Sequence, residues 1–260
     1  MPEGDTVWLA AHRLDGALRD RPVTAFDLRV PQLATADLRG ATVRGVLARG
    51  KHILMRFDTD QTLHSHLRMD GSWRVSPAAR APRVGFDVRA VIGNATWSCH
   101  GRRVHDLALA PTSEEAQWVG HLGPDLLGPD WDADRAVRNL LESPDRPVAE
   151  ALLDQRTLAG IGNMYAAEIL FVHRTRPTSP VAALPDPAAT MATAYRLLRM
   201  NRDHTAQSTT GQTRRGEEHW VYLRTGQPCR RCRTPIESGE IGRPPQQRVT
   251  YWCPRCQPEA

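Results

Sequence analysis

Lysine is almost absent from this chain. Of its 34 basic side chains, only Lys51 is a lysine and all the others are arginines. The two residues are near substitutes as cations, but an ammonium can lose its proton at workable pH and a guanidinium cannot. The retained lysine therefore indicates proton-transfer or amine chemistry at Lys51. The alternative is a compositional drift that spared one position.

Long apolar runs are lacking too. No stretch approaches the roughly 18 apolar residues that a membrane-spanning helix needs, so we expect no membrane partner. The acidic residues Glu3 and Asp5, with no apolar run behind them, argue against a secretory signal peptide. These two observations predict a soluble, cytoplasmic protein.

The excess of positive over negative charge lies in the second half of the chain. The net charge is +5 and the isoelectric point is about 9.2, and residues 135–260 hold 18 basic against 12 acidic side chains. This excess predicts a polyanionic partner such as nucleic acid. An arginine-rich solvated surface is the alternative.

Cysteine is scarce and, with one exception, paired. Cys99 stands alone and is expected to be a small buried hydrophobe. The other four follow the pattern C-x2-C-x20-C-x2-C, which without a secretory signal favours zinc over disulfides. Four thiolates complete a closed tetrahedral shell, so we predict one structural zinc ion and no organic cofactor. Its ligands are Cys229, Cys232, Cys253 and Cys256.

The hydrophobic pattern changes along the chain. Residues 1–125 read as one helix, from Thr6 to about Leu18 with Asp5 as N-cap, followed by short strands that suggest a two-sheet sandwich or a flattened barrel. A Gly-, Pro- and Asp-rich segment, 123–132, looks like a linker. Helical periodicity fills 133–219, with candidate helices at 135–142, 148–158, 163–172 and 188–200. Short strands around the cysteines indicate a zinc ribbon over 220–260.

Two candidate phosphate contacts lie in the second half. In LLDQRTLAGIGNMYAAEILF, 152–171, a Gly-Ile-Gly turn separates two helices and Asn163 is placed at the N-cap of the second. Such a junction allows close approach of another backbone and offers free N–H groups; an ordinary helix hairpin is the alternative. Arg248 begins the returning strand of the ribbon, where it either reaches a DNA groove or simply faces solvent.

The N-terminus offers a nucleophile. Removal of Met1 would expose the secondary amine of Pro2, which by analogy with other α-amines has a pKa of about 8. Such an amine can attack a sugar C1′ and form a cationic iminium. Glu3 lies beside it and is a candidate general acid or base.

Four motifs together resemble one known family. PEGDTV, RGKH, LLDQRTLAGIGNMYAAEILF and C-x2-C…QRVTYWCPRC occur in the order and spacing of the formamidopyrimidine-DNA glycosylase and endonuclease VIII family of bifunctional DNA glycosylases. The resemblance covers nearly the whole chain. It implies an α+β multidomain fold with an N-terminal β-sandwich, a helix–two-turn–helix domain and a zinc ribbon, which clasp damaged DNA.

The resemblance also implies residue roles. Pro2 is the nucleophile, Glu3 its acid–base partner, and Lys51 lies on a hairpin turn and serves in proton transfer. Asn163 grips phosphates beside the lesion, and Arg248 binds a neighbouring phosphate and assists the second elimination. Glu168 matches an acidic residue near the site, with a buried structural carboxylate as the alternative.

The loop SHLRMDGSW, 65–73, aligns with the loop that fills the hole left by the flipped-out nucleotide. Met69 suits wedging between bases, with core packing as the alternative, and Arg68 flanks it. His64 and His66 face one side of a strand and, with no third ligand in view, are interpreted as structural.

One region departs from the family pattern. Where the formamidopyrimidine branch has an Asp-Pro-Arg-Arg-Phe-Gly-type loop, this chain reads CHGRRVHDLALA, 99–110, so which residues complete the wedge stays open between Arg102, Arg103 and others. This departure and the PEGD opening favour the endonuclease VIII branch of the family. They favour oxidised pyrimidines over 8-oxoguanine as substrates.

The predicted protein is a monomeric glycosylase and abasic-site lyase, cytoplasmic and associated with the nucleoid, acting by β/δ-elimination on damaged DNA. Two alternatives are a non-catalytic binder of damaged DNA and a zinc-ribbon transcription or RNA-binding factor. The non-catalytic alternative does not explain why Pro2, Glu3 and Lys51 occur together. The second leaves residues 1–125 unexplained.

Overall fold

The computed structural model describes residues 2–245 and 247–259. The chain divides into two compact units, Met1–His121 and Leu122–Ala260. Segment 123–132 belongs to the second unit, where Leu126 is fully buried in the core. In the described part of the chain, no helix combines the length and apolarity that crossing a membrane requires.

The first unit consists of a helix, α1 (Gly4–Leu18), and two four-stranded antiparallel sheets with a shared core. The first sheet has the order β1-β6-β7-β5 and the second the order β2-β3-β4-β8. Apolar residues of both sheets form this core, and the central strands β3 and β4 carry runs of consecutive buried residues. The strands are β1 (Ala25–Leu28), β2 (Val43–Arg49), β3 (His52–Phe57), β4 (Gln61–His66), β5 (Ser72–Pro77), β6 (Val88–Gly93), β7 (Trp97–Arg102) and β8 (Asp106–Pro111). This is the predicted β-sandwich, and a short helix, α2 (Ala116–Val119), follows it.

The first helix begins earlier than the sequence predicts. Its N-cap is Glu3, with an extended backbone (φ −117°, ψ −174°), and the N–H of Val7 donates to the Glu3 carbonyl at 3.0 Å. Asp5 is therefore not the N-cap but an acidic residue of the first turn, 1% exposed. The prediction failed because the cap is a glutamate, which is outside the usual capping residues.

The second unit holds four helices and the two-stranded ribbon. The helices are α3 (Ala133–Leu141), α4 (Val148–Leu153), α5 (Asn163–Val172) and α6 (Pro187–Asn201), and the strands are β9 (Glu237–Ile241) and β10 (Arg248–Trp252). Asp132 and Asp186 cap α3 and α6, accepting the N–H groups of Arg135 and Ala189 at 2.8 Å. Between α4 and α5 the chain leaves the helical conformation at Asp154, so α4 is shorter than expected.

Candidate active site, nucleic-acid contacts and metal centre

The start of α1 concentrates buried carboxylates beside Pro2. Pro2 is half-buried, while Glu3 and Asp5 are 0% and 1% exposed. Buried carboxylates are rare in proteins, and the free N–H groups and dipole of a helix N-terminus favour negative charge there. The structure thus supplies an acidic group next to the candidate nucleophile.

Lys51 occupies the tip of a hairpin. Arg49 pairs with His52 across β2 and β3, which leaves Gly50 and Lys51 as a two-residue turn. Gly50 has φ +56°, a conformation that such turns require and that glycine adopts without strain. Lys51 is half-buried and is held by the strand pairing on either side.

The packing of α1 on β2 carries this turn towards the helix N-terminus. The Asp20 N–H donates to the Val43 carbonyl at 2.8 Å, and the Val46 N–H donates to the Asp15 carboxylate at 2.7 Å. Helix and strand therefore run in opposite directions. From Asp15 the helix extends about 18 Å back to Glu3, and from Val46 the strand extends about 13 Å to the turn. The turn thus ends within about one helical turn (5 Å) of the level of Glu3.

Three histidines lie together next to Lys51. His52 pairs with His66 across the strands, and the His52 Nδ1 and His64 Nε2 atoms are 2.8 Å apart. Burial is the main cause that lowers the pKa of His52 to about 3, with smaller contributions from His66 and His64. Burial likewise lowers the pKa values of His64 and His66 to about 4. All three are neutral at pH 7. Within the described residues, the group of side chains that could hold a metal ion is that of the four cysteines.

The loop after β4 presents Met69 to solvent. The Gly71 N–H donates to the Leu67 carbonyl at 2.8 Å, and a Cβ on Gly71 would lie 2.5 Å from that oxygen, so the turn requires glycine. Arg68 has φ +52° and forms an ion pair with Asp106 at 2.6 Å. Met69 is 63% exposed, which excludes the core-packing alternative.

The structure brings Asn163 to the strand that Arg248 begins. Gly162, not Asn163, is the N-cap of α5: its backbone is extended, and its carbonyl accepts the Ala166 N–H at 3.0 Å. The Asn163 side chain instead donates to the carbonyl of Val249 at 2.7 Å. Arg248 is the exposed first residue of β10, so the two predicted phosphate contacts are neighbours in the second unit.

Glu168 lies inside the second unit. It is 0% exposed, and its carboxylate accepts the N–H groups of Val221 and Tyr222 at 2.8 and 2.9 Å on Oε1. Its Oε2 accepts the Trp220 N–H at 2.8 Å and the hydroxyl of Thr209. The described contacts correspond to the buried structural carboxylate rather than to a DNA-contacting group.

The four cysteines fit a zinc ion. Their sulfur atoms all lie within 4.8 Å of one another, with Cys229 to Cys256 at 3.9 Å and Cys232 to Cys253 at 3.4 Å. A tetrahedral site with Zn–S bonds of about 2.3 Å has sulfur–sulfur edges of about 3.8 Å. The Arg231 N–H lies 3.4 Å from the Cys229 sulfur, as expected where a backbone amide stabilises a thiolate. Four thiolates with no open position make the site structural.

Two residues of interest were missed at the sequence level. His52 carried one signal, a third histidine at the start of the strand before His64 and His66, but the register that places it opposite His66 is not visible in the sequence. Phe86 lies in the loop before β6 and is 92% exposed. Its signal was the composition of APRVGFD, where Gly and Pro interrupt the alternation.

Comparison with known proteins identifies the family. Residues 1–106 match the formamidopyrimidine-DNA glycosylase N-terminal domain, 122–201 match the H2TH domain of the same glycosylase, and 226–258 match a zinc finger found in FPG and IleRS. The chain belongs to the formamidopyrimidine-DNA glycosylase and endonuclease 8 family. The sequence-based resemblance is confirmed.

Among its relatives are proteins named for endonuclease 8 and for abasic-site lyase. The chain is 50% identical to the probable endonuclease 8 2 of Streptomyces coelicolor, over 99% of this chain and 94% of the relative. It is 46% identical to the DNA-(apurinic or apyrimidinic site) lyase Nei2 of Mycolicibacterium smegmatis, over 99% of both. The fold matches Lactococcus lactis Fpg, solved in complex with DNA containing an abasic site, with a TM-score of 0.82 at 23% identity over 99% of this chain and 100% of that one.

Proposed function

We propose that the chain is a bifunctional DNA glycosylase and abasic-site lyase of base excision repair. The observation that carries the proposal is the N-terminus, where Pro2 adjoins the buried carboxylate of Glu3 and the hairpin turn of Lys51 ends within about one helical turn of the level of Glu3. The 46% identity to a DNA-(apurinic or apyrimidinic site) lyase supports it.

The chemistry follows from these three groups. The Pro2 amine, freed by removal of Met1, adds to C1′ of the damaged nucleotide while the base departs with the electron pair of the glycosidic bond. Lys51 and Glu3 move the protons that opening the sugar and expelling the base require. The cationic iminium acidifies C2′, loss of a C2′ proton expels the 3′ phosphate, and a second elimination expels the 5′ phosphate. Water then hydrolyses the iminium and regenerates Pro2.

Both units contribute DNA contacts in this proposal. Asn163 and Arg248 bind phosphates from the second unit, where the Asn163 side chain reaches the strand that Arg248 begins. Met69, flanked by Arg68, enters the base stack from the first unit. The zinc site holds the ribbon that presents Arg248. Damaged DNA is the partner, and the protein acts as a monomer at the nucleoid, in the cytoplasm.

Oxidised pyrimidines are the favoured substrates. The loop CHGRRVHDLALA departs from the formamidopyrimidine branch, and the 50% relative is named a probable endonuclease 8. A panel of duplexes, each with one defined lesion, tests this by excision rate. We expect oxidised pyrimidines to be released faster than 8-oxoguanine; the reverse order would overturn the substrate assignment while leaving the lyase assignment intact.

A further inference from the structure

Phe86 is the most exposed large hydrophobic side chain among the described residues, at 92%. The backbone beneath it is nevertheless fixed. Arg89 donates from Nη1 to the Phe86 carbonyl at 2.9 Å, and the Val88 N–H and the Arg29 guanidinium donate to the Gly85 carbonyl at 3.2 and 3.3 Å. Single exposed hydrophobics are common on protein surfaces, so the position of Phe86 relative to other groups decides its meaning.

Hydrogen bonds join the Phe86 loop to the Met69 loop through Arg103. The Arg103 N–H donates to the carbonyl of Asp87 at 2.7 Å, and its Nη1 pairs with Asp70 at 3.4 Å. Asp87 follows Phe86 in the chain, and Asp70 follows Met69. The two most exposed apolar side chains of the first unit therefore lie at the same end of the sandwich.

Arginines are frequent in the segments that carry these two side chains. Arg68 and Arg103 come from the joined loops, Arg102 ends β7, and the exposed Arg80 and Arg83 precede Phe86 in the chain. Arg102 also fixes the loop, since its Nη2 pairs with Asp87 at 2.7 Å. An exposed aromatic face among guanidinium groups suits a nucleic-acid base next to phosphates, because bases stack on aromatic rings while arginines contact the backbone.

We propose that Phe86 stacks on the base left unpaired opposite the flipped-out nucleotide and is the second wedge residue beside Met69. This rests on the proposed function, because only an enzyme that extrudes a nucleotide leaves such a base. It answers the question that the departing loop 99–110 left open: the aromatic side chain comes from the loop before β6, and Arg103 links that loop to Met69.

The test uses a duplex with a tetrahydrofuran abasic analogue opposite 2-aminopurine, compared with the intact duplex. Base–aromatic stacking predicts that Phe86→Ala binds the abasic duplex about 5-fold to about 150-fold more weakly. The 2-aminopurine fluorescence change seen with the wild type should be lost. Phe86→Trp should retain both properties. Val84→Ala, which trims an exposed apolar residue of the same loop, is the matched control and should behave as wild type.

Borohydride trapping on abasic-site DNA separates this inference from the proposed function. If the wild type forms no trapped adduct, the proposed function fails. If the wild type is trapped but Phe86→Ala keeps its affinity for the abasic duplex within about twofold and its fluorescence change, the inference is wrong. An equal loss of affinity for intact duplex would also overturn the inference. So would a wild-type dimer that Phe86→Ala dissociates in sedimentation, because Phe86 would then contact a second copy of the chain rather than a base.

Discussion

Replacing Glu168 by glutamine should loosen the segment that its carboxylate holds. Glutamine keeps one acceptor oxygen. In place of the other oxygen it has an NH2 group, which faces two donors and cannot accept their hydrogen bonds. At least two of the four bonds from Thr209, Trp220, Val221 and Tyr222 are therefore lost. Each buried donor left without an acceptor costs about 1–3 kcal/mol. We expect a destabilisation of about 2–6 kcal/mol, which is large beside a typical unfolding free energy of about 5–15 kcal/mol.

Hydrogen exchange measures this effect locally. In Glu168→Gln, the amides of Trp220, Val221 and Tyr222 should exchange at least about 30-fold faster, the rate factor that corresponds to about 2 kcal/mol. Glu142→Gln is the matched control, because Glu142 is an exposed carboxylate of the same unit. It should leave these rates unchanged.

DNA binding separates the structural role from a direct one. If Glu168 acts through the segment, weaker DNA binding should accompany faster exchange and a lower unfolding free energy. If the variant loses DNA affinity while its amide exchange rates and free energy of unfolding are unchanged, this reasoning is wrong. Glu168 would then contact DNA directly.

Three further predictions follow. Lys51→Arg should slow single-turnover excision or nicking about 10²–10⁴-fold with little change in duplex affinity, because a guanidinium keeps its proton; rates within a few-fold of wild type in both steps would make the lone lysine an accident of composition. Zinc removal by chelation, or Cys253→Ser, should weaken binding to damaged duplex while the first unit stays folded, as seen by hydrogen exchange; wild-type affinity of the variant would contradict this. The folded pKa values of His52, His64 and His66 are about 3 to about 4, whereas unfolded histidine has a pKa near 6.5. Between about pH 4 and 6.5, the unfolded chain therefore binds more protons than the folded chain. The free energy of unfolding should then fall as pH drops from about 6.5 towards about 4, and urea titrations should show a shallower fall for His64→Gln.

Local patterns predicted much of this molecule. The ribbon followed from the spacing of four cysteines, and the hairpin turn at Lys51 followed from the resemblance to the family. The strand β8 has no comparable local signal, because DLALAP consists mostly of leucine and alanine, which have little preference for strands. It forms because β4 offers it a partner.

The remaining features depend on contacts between distant residues. Glu168 is the one charged residue of α5, a helix that is otherwise mostly apolar, and its carboxylate is satisfied by a segment 41 to 54 residues further on. The meeting of His52 with His64 and His66 requires the β3–β4 register. The link from Phe86 to Met69 runs through Arg103 in a third loop, and no local pattern specifies such an arrangement.

The central claim is that the secondary amine of Pro2 is the nucleophile, and borohydride trapping tests it most directly. The protein with Met1 removed is incubated with abasic-site DNA and borohydride, and the adduct is digested and sequenced by mass spectrometry. We expect the reduced sugar on the nitrogen of Pro2, and no adduct from protein that keeps a tag ahead of Pro2. An adduct on Lys51, or full trapping and cleavage by the tagged protein, would contradict the account.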